Sequence, residues 1–222
     1  MKFKTLLNNI YIPQSIVDYF SVFDKLNVKI ITDYHRSGDL VINIDNKYIL
    51  KITTNIEALK REKRANDFLY GKINVSKTII FIEENNRGYY LKSCVNGKPL
   101  CVPELLCNPN LVVDLLVKAI NEFHSIDISK CSFYSHEYND MNNEKLVFVH
   151  GDCCLPNILV HRNKVAGYID LEAAGIGDPW IDYAWALWSL EYNLKTDAYN
   201  QMFLDKLGVQ FDEIKYKKYV IY

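Results

Sequence analysis

Two short apolar runs, Val41-Ile42-Asn43-Ile44 and Tyr48-Ile49-Leu50-Lys51-Ile52, flank Asp45-Asn46-Lys47, so residues 28–52 read as strands that end in a hairpin. The period then lengthens. Ala58, Glu62, Ala65 and Leu69 recur at helical spacing over 56–70, and Gly71 closes that helix. Strands return near 78–83 and 89–94 around the turn residues 84–88, and Asn96-Gly97-Lys98-Pro99 reads as a loop. From about residue 104 the pattern is helical, with Leu111, Leu115, Leu116, Ala119, Ile120 and Phe123 forming one stripe up to His124. Residues 146–170 read as a loop and hairpin, built on the apolar runs Leu146–Val149 and Ile158–Val160 and on a strand ending in Ile169-Asp170. Asp178-Pro179-Trp180 reads as a helix start, with Asp178 as cap and proline in the first turn. Ile181, Ala184, Trp185, Leu187 and Trp188 make that helix a core element. No repeat is visible. A strand-rich front and a helix-rich back predict an α+β fold.

Bulk properties narrow the class. A chain of 222 residues suits one large domain or two small lobes around a shared cleft. Its 49% apolar and 24% charged residues are an ordinary globular balance. The net charge of −1 supplies no global field for nucleic acid or an anionic membrane, so neither is an expected partner. No apolar run approaches a membrane span, and asparagines interrupt the segment 1–9 too early for a secretory signal. Six cysteines, none in C-x-x-C spacing, read as small apolar fillers with reduced thiols, as in a cytoplasmic protein.

The chemistry concentrates in His150-Gly151-Asp152-Cys153-Cys154-Leu155-Pro156-Asn157. Asp152, in a loop after an apolar strand, is placed to orient and deprotonate an alcohol. Asn157 and Asp170 supply the oxygen ligands that suit Mg2+ on nucleotide phosphates. His150 reads as a structural residue holding the loop. Asp182, four residues after Asp178, reads as a carboxylate at a helix start that holds the catalytic loop through hydrogen bonds. Lys51, a cation in an apolar strand, and Glu62, on the next helix, form a candidate phosphate-positioning pair. Ser37, in Arg36-Ser37-Gly38-Asp39, offers a hydroxyl and backbone N–H groups to phosphates, although an ordinary hairpin turn explains that stretch as well. Trp180, Trp185 and Trp188 read as core. The tail Lys215-Tyr216-Lys217-Lys218-Tyr219 reads as a solvated helix face.

These residues resemble the antibiotic kinases of the aminoglycoside phosphotransferase family, and most closely the aminoglycoside 3′-phosphotransferase branch. The resemblance runs through Lys60–Lys63, Gly71–Val75, Leu91–Gly97, Phe123–Ser129, His150–Asn157, Ile169–Leu171 and Gly177–Asp182. It implies a two-lobed protein-kinase-like fold, with a strand-rich nucleotide-binding lobe over 1–95 and a mostly helical catalytic and substrate lobe over 96–222. It makes Asp152 the catalytic residue, Asn157 and Asp170 the magnesium ligands, and Lys51 with Glu62 the pair that positions phosphate. Ser37 falls in its phosphate loop, and Ser93 to Val95 in the hinge that meets the nucleobase. The implied donor is ATP or GTP, and the implied acceptor an aminoglycoside hydroxyl.

The chain departs from that branch in one respect. Residues 132–144 stand where the branch has a much longer helical segment that carries acidic drug-binding residues, and the carboxyl end is short. Glu137, Asp140, Glu144, Glu172 and Glu191 are the available carboxylates for a polycationic drug. A kinase of the same fold acting on another antibiotic or a metabolite alcohol is the alternative. A non-catalytic nucleotide-binding protein is disfavoured, because Lys51, Asp152, Asn157 and Asp170 are all present.

Overall fold

The structure is a computed structural model, and it describes residues 10–32, 40–135 and 145–220. The chain divides into two compact units. The first comprises the described residues up to Asp67 together with Ser76–Cys94. The second comprises Phe68–Val75 and the chain from Val95 onward. The stretch after the first long helix, Phe68–Val75, thus groups with the back of the chain.

The first unit is a five-stranded antiparallel sheet in the order β1-β2-β3-β5-β4, with β1 at Val28–Thr32, β2 at Leu40–Ile44, β3 at Tyr48–Thr53, β4 at Thr78–Glu84 and β5 at Arg87–Ser93. Its tight hairpins use left-handed residues. Asp45 and Asn46 turn β2 into β3, and Asn85 and Asn86 turn β4 into β5, all with φ between 53° and 57°. Short polar side chains tolerate that region best, and the turn geometry matches the strand twist. The second turn needs only these two residues, so β5 begins earlier than the sequence pattern indicates.

Alternation along the strands gives this sheet two different faces. Leu40, Ile42, Ile44, Leu50, Ile52, Tyr89 and Leu91 point to one side, where they pack with Ile12, Leu26 and the helix α1 (Gln14–Phe20) through Ile16 and Phe20. The other face carries Lys51 and, from β5, Tyr90 and Lys92, and it meets the helix α2 (Ile56–Leu69) at Glu62. Gly88 lets α2 approach closely, since a side-chain carbon there would lie 2.8 Å from Leu59 Cδ2.

The second unit is mostly helical. Its elements are β6 (Lys98–Pro99), α3 (Pro103–Leu106), α4 (Pro109–His124), β7 (Val147–Val149), a 3-10 turn (Leu155–Asn157), β8 (Ile158–His161), β9 (Lys164–Tyr168), β10 (Gly175–Gly177), α5 (Trp180–Leu194), α6 (Asn200–Leu207) and α7 (Glu213–Tyr219). Two small sheets, β6-β8-β9 and β7-β10, hold the loops between them. Asn108 caps α4 by accepting the N–H of Leu111, and α4 buries Leu115, Leu116, Ala119, Ile120 and Phe123 of the expected stripe together with Val112, Val113 and Val117, while Leu111 stays partly exposed. The loop expected at 96–99 contributes β6, paired to β8. Phe148 of β7 stacks on Phe68 at 5.2 Å between ring centres and meets Phe123 and Phe133 at 6.4 and 6.0 Å. Together with the Tyr168 N–H donated to Asn74 O, this cluster is why Phe68–Val75 packs with the second unit.

Helix α5 begins at Trp180 with Pro179, not Asp178, in the cap position; Asp178, one residue earlier, accepts the Trp180 N–H at Oδ1 at 3.0 Å. Its other oxygen accepts Lys215 Nζ at 2.9 Å and the Tyr219 hydroxyl at 3.4 Å. The tail expected as a solvated face is therefore docked on one side: Tyr219 is buried, while Lys217 stays in solvent. Trp180 is core as expected, but Trp185 and Trp188 are only partly buried, and Trp188 stacks on exposed Tyr192 at 5.2 Å. Among the described residues, no helix is long and apolar enough to cross a membrane.

Phe148→Ala removes the ring that three others contact, and a loss of about 3–5 kcal/mol is expected for a phenylalanine fully buried in such a cluster. Urea unfolding of the variant beside the wild type checks this, and a loss below 1 kcal/mol would mean that the cluster does not hold Phe68–Val75.

Candidate active site

The loop after β7 is held from three sides. Asp182, fully buried in the first turn of α5, accepts the backbone N–H of His150 at 3.0 Å and of Gly151 at 2.9 Å. It also accepts His124 Nε2 from the end of α4 at 3.1 Å. A buried carboxylate with three N–H donors is satisfied without leaving the interior. Asp182 thus holds the loop, as the sequence indicates. Gly151 sits at φ +86°, and a side-chain carbon there would lie 2.3 Å from the Ala173 carbonyl oxygen. Only glycine fits this turn.

His150 Nε2 lies 3.1 Å from the Ile169 carbonyl oxygen, which can only accept, so that nitrogen carries the proton. Its Nδ1 is then the acceptor, 3.4 Å from the Asp152 N–H. His150 ties the loop to the strand that leads to Asp170, the structural role expected of it.

Asp152 is partly exposed at the end of this scaffold. Asn157, in the 3-10 turn, donates Nδ2 to Asp152 Oδ2 at 2.8 Å and to the Asp152 carbonyl at 3.1 Å. The amide nitrogen must face Asp152, because an ionised carboxylate only accepts. That orientation leaves the amide oxygen for another ligand. The Leu155 N–H is held by Ser189 Oγ of α5 at 2.9 Å, and the Ile169 N–H by the Asn157 carbonyl at 3.1 Å. Asp170 follows in a left-handed conformation, φ +62°, with its side chain exposed. Cys153 and Cys154 are buried between these groups, and burial pushes both thiols up, which keeps them neutral and supports their reading as apolar fillers.

The first unit holds a second constellation. Lys51 Nζ donates to Glu62 Oε2 at 3.1 Å. Lys92, which the sequence reading passed over, donates to Glu62 Oε1. Burial by itself would raise the Glu62 carboxyl; the Lys92 and Lys51 ammoniums outweigh it and hold the group at about 2. The signal for Lys92 lay in the strand period. Lys51 pairs with Tyr90 across the sheet, and Lys92, two residues on, falls on the same face.

The other expected positions fare differently. Ser37 lies outside the described residues. Ser93 uses its N–H on the Lys77 carbonyl at 2.9 Å, and the Cys94 N–H goes to the Lys47 carbonyl at 2.8 Å, so neither N–H remains for a nucleobase. Val95 begins the second unit and is buried. Glu137, Asp140 and Glu144 lie outside the described residues, and Glu191 bonds Asn200 of α6. Among the described residues no cluster of three His, Cys, Asp or Glu side chains could hold a metal by itself. Asn157 and Asp170 nonetheless fit Mg2+ chemically, since both offer hard oxygen and Mg2+ draws only a few ligands from protein when phosphates supply the rest.

A loop presenting Asp152 and Asn157 in the second unit, and a lysine–glutamate pair on a sheet and helix in the first, are each of the kind that phosphoryl transfer uses. Residues 135–217 match the phosphotransferase enzyme family. The chain is similar to a probable aminoglycoside 3′-phosphotransferase of Lactococcus lactis, 27% identical over 79% of this chain and 82% of the relative. An aminoglycoside 3′-phosphotransferase of Enterococcus faecalis is 28% identical over 73% and 77% of the two chains. The fold is that of a solved aminoglycoside phosphotransferase from Streptomyces rimosus, with a TM-score of 0.71, 19% identity and coverage of 86% and 90% of the two chains. That protein has also been solved with ADP and streptomycin, with a TM-score of 0.67.

Two outcomes follow from this geometry. Asp182→Ala leaves the His150 and Gly151 N–H groups and His124 without their acceptor and should cost of order 3 kcal/mol, read from urea unfolding; a loss under 1 kcal/mol would show that the loop is held otherwise. Glu62 adds a pH effect. Its carboxyl is lowered on folding from 4.5 to about 2, so its contribution is complete above pH 4.5 and fades as pH falls toward 2. The wild type should therefore lose its advantage over Glu62→Gln by of order 3 kcal/mol across that window, and an advantage that stays constant with pH would contradict the pairing.

Proposed function

We propose that this protein is a small-molecule kinase that transfers the γ-phosphoryl group of a nucleoside triphosphate to an alcohol, with an aminoglycoside 3′-hydroxyl as the acceptor. The observation that carries the reading is the Asp152 carboxylate, fixed at one oxygen by the Asn157 amide in a loop clamped to Asp182 and His150. A carboxylate so held is oriented without being neutralised, which is what a positioning base requires. The aminoglycoside assignment rests on the names of the relatives from Lactococcus and Enterococcus.

In the proposed step Asp152 accepts the proton of the acceptor hydroxyl as its oxygen attacks the γ-phosphorus. The bond from that phosphorus to the β,γ-bridging oxygen breaks, and the nucleoside diphosphate leaves with its electron pair. Lys51, oriented by Glu62, binds phosphate oxygens. Asn157, through its amide oxygen, and Asp170 would hold Mg2+, which when bound neutralises charge on the phosphates. Backbone groups around Val95 would receive the base of ATP or GTP.

One observation keeps a different acceptor in view. Glu191, a candidate for binding a polycationic drug, is bonded to Asn200, so fewer acidic groups remain for such a drug in the described residues. Mass spectrometry of kanamycin and neomycin incubated with protein, Mg2+ and ATP or GTP decides between the two acceptors. A gain of one phosphate is expected; clear turnover of another alcohol with no modified aminoglycoside would replace the acceptor and keep the kinase. Asp152→Asn should leave nucleotide binding in place and cut turnover by ~10²–10⁴-fold, the usual worth of a positioned base. Near-normal turnover would remove Asp152 from that role. Asn157→Ala and Asp170→Ala should each raise the Mg2+ concentration needed for half-maximal activity, and an unchanged requirement in both would place the metal elsewhere.

A further inference from the structure

Lys92 is a buried cation that the lysine–glutamate pair of a kinase does not require. Its side chain is 7% exposed and that of Glu62 is 1% exposed. Burying an ammonium is costly, and an apolar side chain in that position would pack without the cost, so packing does not account for a lysine. Its placement is specific. Across the sheet Lys51 faces Tyr90 and Ile49 faces Lys92, which makes Lys92 the diagonal neighbour of Lys51 on one sheet face. The two ammoniums reach different oxygens of the same carboxylate, Lys92 at Oε1 and Lys51 at Oε2. Asn66 Nδ2 holds the Glu62 backbone carbonyl at 3.0 Å from below.

A glutamate bonded by one flexible lysine keeps rotational freedom about its terminal torsion. Bonded at both oxygens from two neighbouring strands, it has one orientation.

We propose that Lys92 is a positioning residue for the nucleotide: it pins Glu62 from the oxygen opposite Lys51 and so fixes Lys51 for the phosphates of a nucleoside triphosphate. This rests on the kinase reading above. It makes the phosphate-positioning device a trio in which Lys92 acts through Glu62 on Lys51.

The test measures binding without an acceptor. Calorimetry gives the affinities of MgATP and of adenosine for the wild type, Lys92→Met, Lys92→Arg, Lys51→Met and the Lys51→Met/Lys92→Met double variant. Lys92→Met should weaken MgATP by roughly tenfold, the scale of one charge-assisted hydrogen bond, and leave adenosine unchanged. Lys92→Arg, which keeps the charge and donors, should recover part of the loss. The double variant should be little worse than Lys51→Met alone, because both changes remove the same positioned ammonium. Without Lys92 the Glu62 carboxyl rises, so the acid limb of MgATP affinity should move to higher pH in Lys92→Met. An unchanged ratio of MgATP to adenosine affinity in Lys92→Met, or losses that add in full with Lys51→Met, would overturn the proposal. If Lys92→Met does not fold, Lys92→Gln is put to the same ratio. A wild type that binds no nucleotide overturns the kinase reading itself, an outcome distinct from a binding wild type with an indifferent Lys92→Met.

Discussion

The geometry of the second unit depends on one buried carboxylate. Asp182 gathers the backbone of His150 and Gly151 and the imidazole of His124, and so ties the start of α5 to the end of α4 and to the loop after β7. The turn there admits no side chain, since a carbon on Gly151 would lie 2.3 Å from the Ala173 carbonyl oxygen. His150 then carries the constraint onward to Ile169, and the Asn157 carbonyl holds the same residue by its N–H. Asp152 stands at the end of this chain of fixed groups while its carboxylate remains partly in solvent. A carboxylate open to solvent is thus held in place by neighbours buried behind it.

The first unit solves a different problem. A sheet that buries one face against α1 leaves its second face to receive α2, and that face carries the buried Lys92 and the partly buried Lys51. Glu62 makes their burial tolerable, and they in turn keep it ionised to about pH 2. Removing Glu62 would leave two ammoniums without their shared counter-ion, whereas removing either lysine leaves a paired lysine and glutamate. This is a costly way to fill space, and it is best understood as serving charge placement rather than cohesion.

The two constellations also differ in how they could be found. Asp152, Asn157 and Asp170 follow one another within twenty residues of loop and hairpin, so order and spacing expose them in the sequence. Glu62 and Lys51 were found by their succession on a helix and a strand, and their contact is short in sequence as well. Lys92 lies thirty residues from Glu62 and belongs to the set only through cross-strand register. His124 lies fifty-eight residues from Asp182, and although the apolar stripe ends on it, nothing local names its acceptor.

By itself the sequence determined the elements that local chemistry controls. These are the hairpin at Asp45-Asn46, the helix closed by Gly71, the apolar stripe of α4 and the loop from His150 to Asn157. Backbone preference and hydrophobic period act over a few residues, and a single chain displays them directly. Tertiary structure alone decided which groups meet. It brought Lys215 to Asp178, docked a tail that reads as solvated, placed Phe68–Val75 with the second unit, and closed the Ser93 and Cys94 N–H groups into the sheet. Each of these turns on partners distant in sequence, whose choice depends on how whole elements pack and which buried polar groups must be satisfied.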